Sequence, residues 1–328
     1  MKLSQNILDL DTDETIEKIS IAIRNQIINV LHRRGAVVGI SGGIDSSVCA
    51  ALCVRALGKE KVFGIFMPEK VSSSDSLAFG KLLSASLGIQ SVTEDIAPIL
   101  QGAGCYERQL EALREVFPEC DMNWKFKVTI PSILESDRLN VLRLVVELPN
   151  GTQKSARMPL MAYLKLIAAT NWKQRVRAAM EYYHADRLNF AVCGTPNRLE
   201  YDQGFFVKGG DGAADFKPIA HLYKTQVYML AEALGIPKEI RSRPPTTDTY
   251  SLSQTQEEFY FALPYHKMDL CLYGFNHGFA AKEIAPVVDL TEEQIERVYK
   301  DIESKRRGTH YMHLAPLLVE PIKEITKD

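Results

Sequence analysis

The sequence has no strong excess of charge of either sign and no long apolar run. Its 328 residues carry 39 Lys and Arg against 41 Asp and Glu, so the broad positive charge typical of a nucleic-acid-binding protein is missing. No apolar stretch approaches the roughly 20 residues that span a bilayer. The acidic first residues also lack the apolar core of a secretory signal. We therefore expect a cytoplasmic protein that binds neither nucleic acid nor a membrane.

Cysteine and histidine are too few and too scattered to build a structural framework. The six cysteines form no CxxC pair, and the seven histidines show no metal-ligand spacing such as HExxH. Disulfide frameworks belong mainly to small secreted domains, so we expect free, buried thiols. The chain does contain 46% hydrophobic residues, which is enough for a sizeable core.

Strands and helices alternate through the first hundred residues. Helical spacing of apolar residues over 13–33, 46–56 and 74–87 is interleaved with short apolar or β-branched runs at 36–40, 61–67 and 91–96. Continuously apolar runs such as 36–40 are typical of strands buried on both faces of a parallel sheet. The pattern predicts an α/β fold with a doubly wound, mostly parallel sheet.

The middle of the chain has a different character. Two runs rich in β-branched residues, 124–130 and 141–148, precede the turn sequence Pro149-Asn150-Gly151, which is a strong hairpin signal. We interpret residues 120–158 as an inserted β-hairpin within a single domain spanning 1–328. A helix over 160–187, a strand over 189–194, a helix over 224–235 and a mostly helical C-terminal part follow.

The strongest chemical signal is VVGISGGIDSS at residues 37–47, in which a buried strand enters a Ser/Gly turn and then a helix. Adjacent glycines allow close backbone approach to an anion, and the N-terminus of the next helix favours negative charge. Asp45 would repel a phosphate unless a cation such as Mg²⁺ lay between them. No GK[ST] follows, so this is not a Walker A loop.

SGGIDS resembles the pyrophosphate-binding loop of the ATP pyrophosphatase superfamily. The segments 171–186 and 193–227, which include GTPNRLE and GFFVKGGDGAAD, resemble the NAD synthetase family, and the motifs are colinear over about 35–70 and 171–307. The resemblance implies an adenine nucleotide α-hydrolase-like fold and an ammonia-using, AMP-forming ligase. Such an enzyme adenylates the nicotinate carboxylate of deamido-NAD with Mg²⁺-ATP and then amidates it to NAD.

The resemblance also implies the roles of individual residues. Asp45, Lys224 and Asp215 match catalytic positions, with Asp215 expected to take a proton from ammonium. The acids of the expected Mg²⁺ site are Asp45 and Glu200. The expected ATP-binding residues are Gly39, Ile40, Ser41, Gly42, Gly43, Ile44, Asp45, Ser46, Thr195, Lys224 and Thr246. The expected deamido-NAD-binding residues are Arg175, Lys208, Asp215 and Lys305.

Four departures from the family pattern fall on the side expected to bind the dinucleotide. Val207, Gly209, Ala213 and Ser304 replace the usual Thr, Tyr, Gly and His. Two alternatives therefore stay open: a divergent ligase that amidates another carboxylate, and a catalytically silent nucleotide-binding homologue. No amidase domain precedes the nucleotide loop, so we expect ammonia as the nitrogen donor, either free or from a separate glutaminase subunit. The family also implies a homodimer.

Overall fold

A parallel and an antiparallel sheet organise the chain in the computed structural model, which describes residues 4–129, 142–244, 250–255, 260–261 and 263–322. The parallel sheet has the order β3-β2-β1-β7. Its strands are β1 (Ala36–Gly39), β2 (Val62–Phe66), β3 (Gln90–Thr93) and β7 (Ala191–Cys193). Ala36 pairs with Val62 of β2 and with Ala191 of β7.

Helices follow most strands and fill the C-terminal part. They are α1 (Thr12–Asn25), α2 (Ile44–Leu57), α3 (Ser74–Leu87), α4 (Ala97–Gly102), α5 (Cys105–Arg114), α6 (Leu160–Leu188), α7 (Arg198–Gln203), α8 (Lys224–Ala233), α9 (Lys238–Arg241), α10 (Tyr265–Asn276), α11 (Ala281–Val288) and α12 (Glu292–His313). A π-helical turn, Gln26–Val30, follows α1, and a 3₁₀ turn, Lys59–Lys61, precedes β2. No helix in the described ranges is both long and apolar enough to cross a bilayer.

Strands β1 and β7 are buried on both faces, as the apolar run at 36–40 predicted, whereas the edge strand β3 is mostly exposed. Alternate residues of β1 point in opposite directions: Val38 joins a core cluster with α1, α2 and α8, whereas Val37 packs with Ile65, Val192 and Ala185 of α6. The doubly wound α/β prediction is confirmed. The six cysteines are all free and buried.

The predicted insertion is an antiparallel sheet of three strands, β4 (Lys125–Thr129), β5 (Arg143–Glu147) and β6 (Gln153–Arg157). The turn at 149–151 joins β5 to β6, with Gly151 at a positive φ of 82°. The hairpin prediction is confirmed, with β5 and β6 as its two arms, and β4 pairs with the other edge of β5 to complete a sheet of three strands. Residues 130–141, where two predicted strands end and begin, lie outside the described residues.

A second helical core carries the C-terminal part. Buried side chains of α10, α11 and α12 form one cluster with Leu199 of α7. Thr291 caps α12 through the Gln294 N–H, as its capping-box spacing suggests. The short helix α7 interrupts what the sequence alone presents as a long loop. Its own capping box, Asn197 with Glu200, is present in the sequence and was missed.

Candidate active site

A cavity of about 610 Å³ opens where the parallel strands end at their carboxyl termini. In open α/β sheets, ligands bind in this crevice. Its walls come from the turn after β1, the residues after β2, one face of α6, the segment after α7 and the start of α8. The predicted nucleotide loop therefore lies in the wall of this cavity.

The turn after β1 holds its shape through its own serines and glycines. Ser46 Oγ donates to the Gly43 carbonyl at 3.1 Å and accepts from the Ser41 N–H at 3.3 Å. Gly42 has a φ of 75°, and a Cβ at this position would collide with the carbonyl oxygen of Ser76. A side chain is thus excluded on both grounds. Because Gly43 and Asp45 line the cavity, the N-terminus of α2 opens toward an incoming anion.

A buried cation and two acids form the polar centre of the cavity. Lys224, only 2% exposed, begins α8 and makes an ion pair with Asp45. Asn197 Nδ2 donates to Asp45 Oδ1 at 3.0 Å, and its backbone N–H donates to Glu200 Oε2 at 3.2 Å. Burial works to lower the pKa of Lys224, but the charges of Asp45 and Glu200 raise it above the ordinary lysine value. Lys224 therefore stays cationic although it is buried.

Two further acids, which the sequence did not single out, line the same cavity. The Glu181 carboxylate packs against the Cα of Gly39, where a Cβ would collide with it. Burial, with a smaller contribution from Asp211, raises the pKa of Glu181 to about 8 against the opposing effect of Arg177. The Asp211 carboxylate accepts the Val207 N–H at 2.7 Å. Only the location of Asp211 in the GGDGAAD motif hinted at this pair.

The raised pKa of Glu181 predicts that stability falls as the pH rises. In the folded chain the Glu181 carboxyl keeps its proton up to about pH 8, whereas an ordinary glutamate loses its proton near pH 4.5. Folding is therefore favoured at low pH, and this contribution is lost between those values. Glu181→Gln should flatten the decline of the urea midpoint between pH 5 and pH 8. Glu296→Gln, at an exposed position of α12, should keep the wild-type decline, and equal slopes in all three proteins would refute the assignment.

The predicted substrate residues divide into two groups. Thr195, Arg175 and Lys208 line the cavity, and Lys208 Nζ donates to the Tyr311 carbonyl at 2.8 Å. Asp215 and Lys305 are set back from the described wall. Asp215 Oδ2 accepts the Val192 N–H at 2.7 Å.

Lys305 lies behind the cavity lining and bonds to one of the lining residues. Its Nζ pairs with Asp301 at 2.6 Å and donates at 2.7 Å to the carbonyl of Tyr260, which itself lines the cavity. Burial lowers the pKa of Lys305. Thr246, the last of the predicted ATP residues, lies outside the described residues.

The chain is similar in sequence to one protein family along most of its length. A family profile described as NAD synthase matches residues 15–117 and 139–309. The NH(3)-dependent NAD(+) synthetase of Mesorhizobium japonicum is 59% identical over 97% of this chain and 100% of its own length. Those of Rhizobium rhizogenes and Thermotoga neapolitana are 55% and 34% identical, covering 98% and 88% of this chain and 96% and 92% of their own lengths.

Solved structures show the same fold at lower sequence similarity. NMN synthetase from Francisella tularensis superposes with a TM-score of 0.65 at 23% identity, covering 95% of this chain and all of that one. The NH3-dependent NAD synthetase from Campylobacter jejuni gives 0.60 at 22% identity with the same coverage. With the family profile spanning most of the chain and relatives above 50% identity along nearly all of it, this chain belongs to the NAD synthase family.

Proposed function

We propose that the protein is an ammonia-dependent NAD synthetase that converts deamido-NAD, ammonia and ATP to NAD, AMP and pyrophosphate. The observation that carries this proposal is the joining of the SGGIDS turn with the Lys224–Asp45 ion pair in one cavity. Relatives bearing this activity in their names match the chain over nearly its full length. ATP is a substrate of the reaction.

In the first half-reaction, a carboxylate oxygen of the nicotinate attacks the α-phosphorus of ATP, and the bond to pyrophosphate breaks. The backbone N–H groups at the start of α2 and the Ser41 and Ser46 hydroxyls bind the departing phosphates. Lys224 stabilises the negative charge that develops on the phosphoryl oxygens. Ammonia then attacks the carbonyl carbon of the acyl-adenylate, AMP leaves, and the added nitrogen loses a proton to give the amide.

Asp45 and Glu200 suit a Mg²⁺ ion bound together with the nucleotide. Carboxylate oxygens are hard ligands, and Mg²⁺ is usually held by one or two of them together with water and phosphate oxygens. The described residues hold no cluster of three or more His, Cys, Asp or Glu side chains that would bind a metal alone. When bound, Mg²⁺ would neutralise charge on the ATP phosphates. Asp45 would then be shared between the ion and Lys224.

Residues at the rim of the cavity form the proposed binding site for deamido-NAD. Arg175 and Lys208 present cations that suit the pyrophosphate group of deamido-NAD. Asp215 and Lys305 would contribute indirectly, because their side chains bond to the backbone and not to the cavity space. Asp215 accepts from the Val192 N–H, and Lys305 donates to the Tyr260 carbonyl. The substitutions at Val207, Gly209 and Ala213 lie in the same segment as Lys208 and would alter the detail of this contact.

The deciding experiment follows NAD and AMP together in a mixture of the protein, Mg²⁺-ATP, ammonium and nicotinic acid adenine dinucleotide. NAD and AMP should appear in equal amounts. If AMP forms only with another carboxylate, such as nicotinic acid mononucleotide, the enzyme amidates that acid and not deamido-NAD. No product with any acid would favour the silent nucleotide-binding homologue. Glutamine should not replace ammonium unless a separate glutaminase subunit is added.

We further propose that the chain acts in the cytoplasm as a homodimer. Five apolar side chains of α6 are each at least 38% exposed: Leu160, Met161, Leu164, Trp172 and Tyr183. Exposed apolar side chains gathered on one helix suit contact with a second copy of the chain. Light scattering should give twice the chain mass for the wild type and a monomer for Met161→Glu/Leu164→Glu. A wild-type monomer at micromolar concentration would contradict the proposal.

A further inference from the structure

Arg243 follows α9 and lines the cavity together with the turn after β1. It is half-buried. Its backbone N–H donates to the Ile240 carbonyl at 3.3 Å, and Ile240 is buried in the core cluster that includes residues of α2. The turn that precedes Arg243 therefore fixes the point from which its side chain extends.

Two contacts hold the Arg243 side chain beside the phosphate-binding turn. Its Nη2 donates to Ser76 Oγ at 3.1 Å, and its Cζ lies 5.6 Å from the centre of the Phe79 ring. Both of these residues also pack against the turn. A Cβ on Gly42 would lie 2.4 Å from the Ser76 carbonyl oxygen and 3.1 Å from Phe79 Cβ. The guanidinium is thus held by the same two residues of α3 that contact the turn.

The charge of Arg243 is not offset by an acid in the part of the chain that the structure describes. A guanidinium has five N–H donors, and the hydrogen bond to Ser76 uses one of them. Lys224, the other cation near the turn, differs because it makes an ion pair with Asp45. Arg243 therefore has donors and a positive charge for a further anion.

A phosphate group is the anion that suits this position. A planar guanidinium can donate two parallel hydrogen bonds to phosphate oxygens, a geometry that lysine cannot reproduce. In the proposed function, the turn after β1 binds the phosphates of ATP. Adenylation breaks the bond between the α-phosphorus and the bridging oxygen, so negative charge develops on the departing pyrophosphate. A cation held beside the turn stabilises that charge.

We propose that Arg243 binds the β- and γ-phosphates of ATP and stabilises the pyrophosphate leaving group. The proposal rests on the proposed function for the reaction, and it adds a phosphate-binding residue from outside the SGGIDS motif. As the bond to the α-phosphorus breaks, its electron pair passes to the oxygen of the β-phosphate. Arg243 donates hydrogen bonds to the released pyrophosphate and keeps its proton throughout.

Arg241, the last residue of α9, is the matched control. Its Nη1 donates to Glu232 Oε1 at 3.1 Å and its Nε donates to the Ile236 carbonyl at 3.0 Å. It is absent from the described cavity lining. Arg243→Met and Arg241→Met therefore remove the same group from neighbouring positions, and only the first faces the cavity. Arg243→Lys keeps the charge and removes the planar fork.

Calorimetric titrations of the full chain with Mg²⁺-ATP, Mg²⁺-pyrophosphate and AMP, each alone, test the proposal. Arg243→Met should bind both ATP and pyrophosphate about tenfold to a hundredfold more weakly, the loss expected for hydrogen bonds to a charged group. Its affinity for AMP should stay close to that of the wild type. Arg243→Lys should lie between the two for ATP and pyrophosphate. Arg241→Met should match the wild type for all three ligands.

The three ligands separate binding of the leaving group from other roles. Equal pyrophosphate affinity in Arg243→Met and the wild type would overturn the proposal. An AMP affinity lowered as much as that of ATP would also overturn it, because Arg243 would then act on the adenosine or on the shape of the wall. If Arg243→Met unfolds at a lower temperature than Arg241→Met, Arg243→Lys gives the comparison at matched stability. Pyrophosphate affinity equal to that of the wild type would overturn the proposal there too.

The same titrations distinguish a failure of this proposal from a failure of the proposed function. Binding is measured without a carboxylate substrate, so the role of Arg243 is tested whichever acid the enzyme amidates. A wild type that binds ATP and pyrophosphate but forms no NAD would overturn only the assigned acid. A wild type that binds neither ligand would overturn the proposed function and the role of Arg243 together.

Discussion

Lys224→Met should lower the turnover number by about a hundredfold to a thousandfold, the loss typical when one preorganised transition-state contact is removed. The side chain is 2% exposed, and the charges of the Asp45 and Glu200 carboxylates act on its ammonium group. Methionine keeps most of the volume of the side chain and removes its charge. The measurement is the rate of AMP release with saturating ATP, ammonium and dinucleotide.

Lys217→Met is the matched control for this loss. Lys217 is also partly buried, and its Nζ donates to the Gly212 carbonyl at 2.9 Å, but it is absent from the described cavity lining. Its turnover should stay close to that of the wild type. Comparable losses in both variants would indicate a general effect of removing a buried charge. A Lys224→Met variant with most of its activity intact would place the catalytic cation elsewhere.

Lys173→Met should be the most destabilising single change that leaves the nucleotide loop intact. Lys173 Nζ lies 2.9 Å from Glu69 Oε1, with side-chain exposures of 4% and 0%. Tyr106 donates its hydroxyl to the other Glu69 oxygen at 2.9 Å. Removing one partner of a buried ion pair leaves the other charge uncompensated, which costs about 3–5 kcal/mol. Urea unfolding monitored by circular dichroism measures the loss.

The double variant Lys173→Met/Glu69→Leu checks the cause. Without the carboxylate there is no unpaired charge to bury, so most of the lost stability should return. Lys154→Met breaks an exposed pair with Glu119 and should leave the unfolding midpoint unchanged. A double variant as unstable as Lys173→Met would show that packing of the lysine stem, not its charge, stabilises this wall of the cavity.

Most of the parallel fold could be predicted because its signals are local. Helix α3 has the predicted bounds, 74–87, and the predicted strand at 36–40 ends within one residue of β1. Continuously apolar runs indicate strands that are buried on both faces. Strand β6 is marked only by the Asn-Gly turn before it, because its side chains are mostly exposed and polar and show no alternation of apolar residues. Helix α7 was missed because six residues are too few to show a helical period.

Which residues line the cavity could be predicted where they belong to one contiguous motif, and only partly where they come from separate segments of the chain. The turn at 39–46 is contiguous, and all of its residues except Gly42 line the cavity. Glu181 lies in the 171–186 segment that resembles the family, but nothing in that segment singled it out as a site residue. The packing of α6 against Gly39 brings it into the cavity. Asp215 and Lys305 occupy suggestive positions in the sequence, yet their side chains bond to backbone behind the wall. Which of several acids and lysines in one segment faces inward depends on tertiary contacts.

The strand order has a consequence for the newly synthesised protein. β1 and its neighbour β7 are about 155 residues apart in the chain, and Lys224 follows β7. At translation rates of about 5–20 residues per second, a ribosome needs roughly 8 to 30 seconds to make the stretch between them. Throughout that interval the edge of β1 has no native partner on one side, so β1 remains exposed to improper pairing. A nascent chain that ends before β7 also lacks Lys224, which is part of the proposed ATP site. ATP should therefore protect the completed protein against proteolysis and should not protect such a nascent chain.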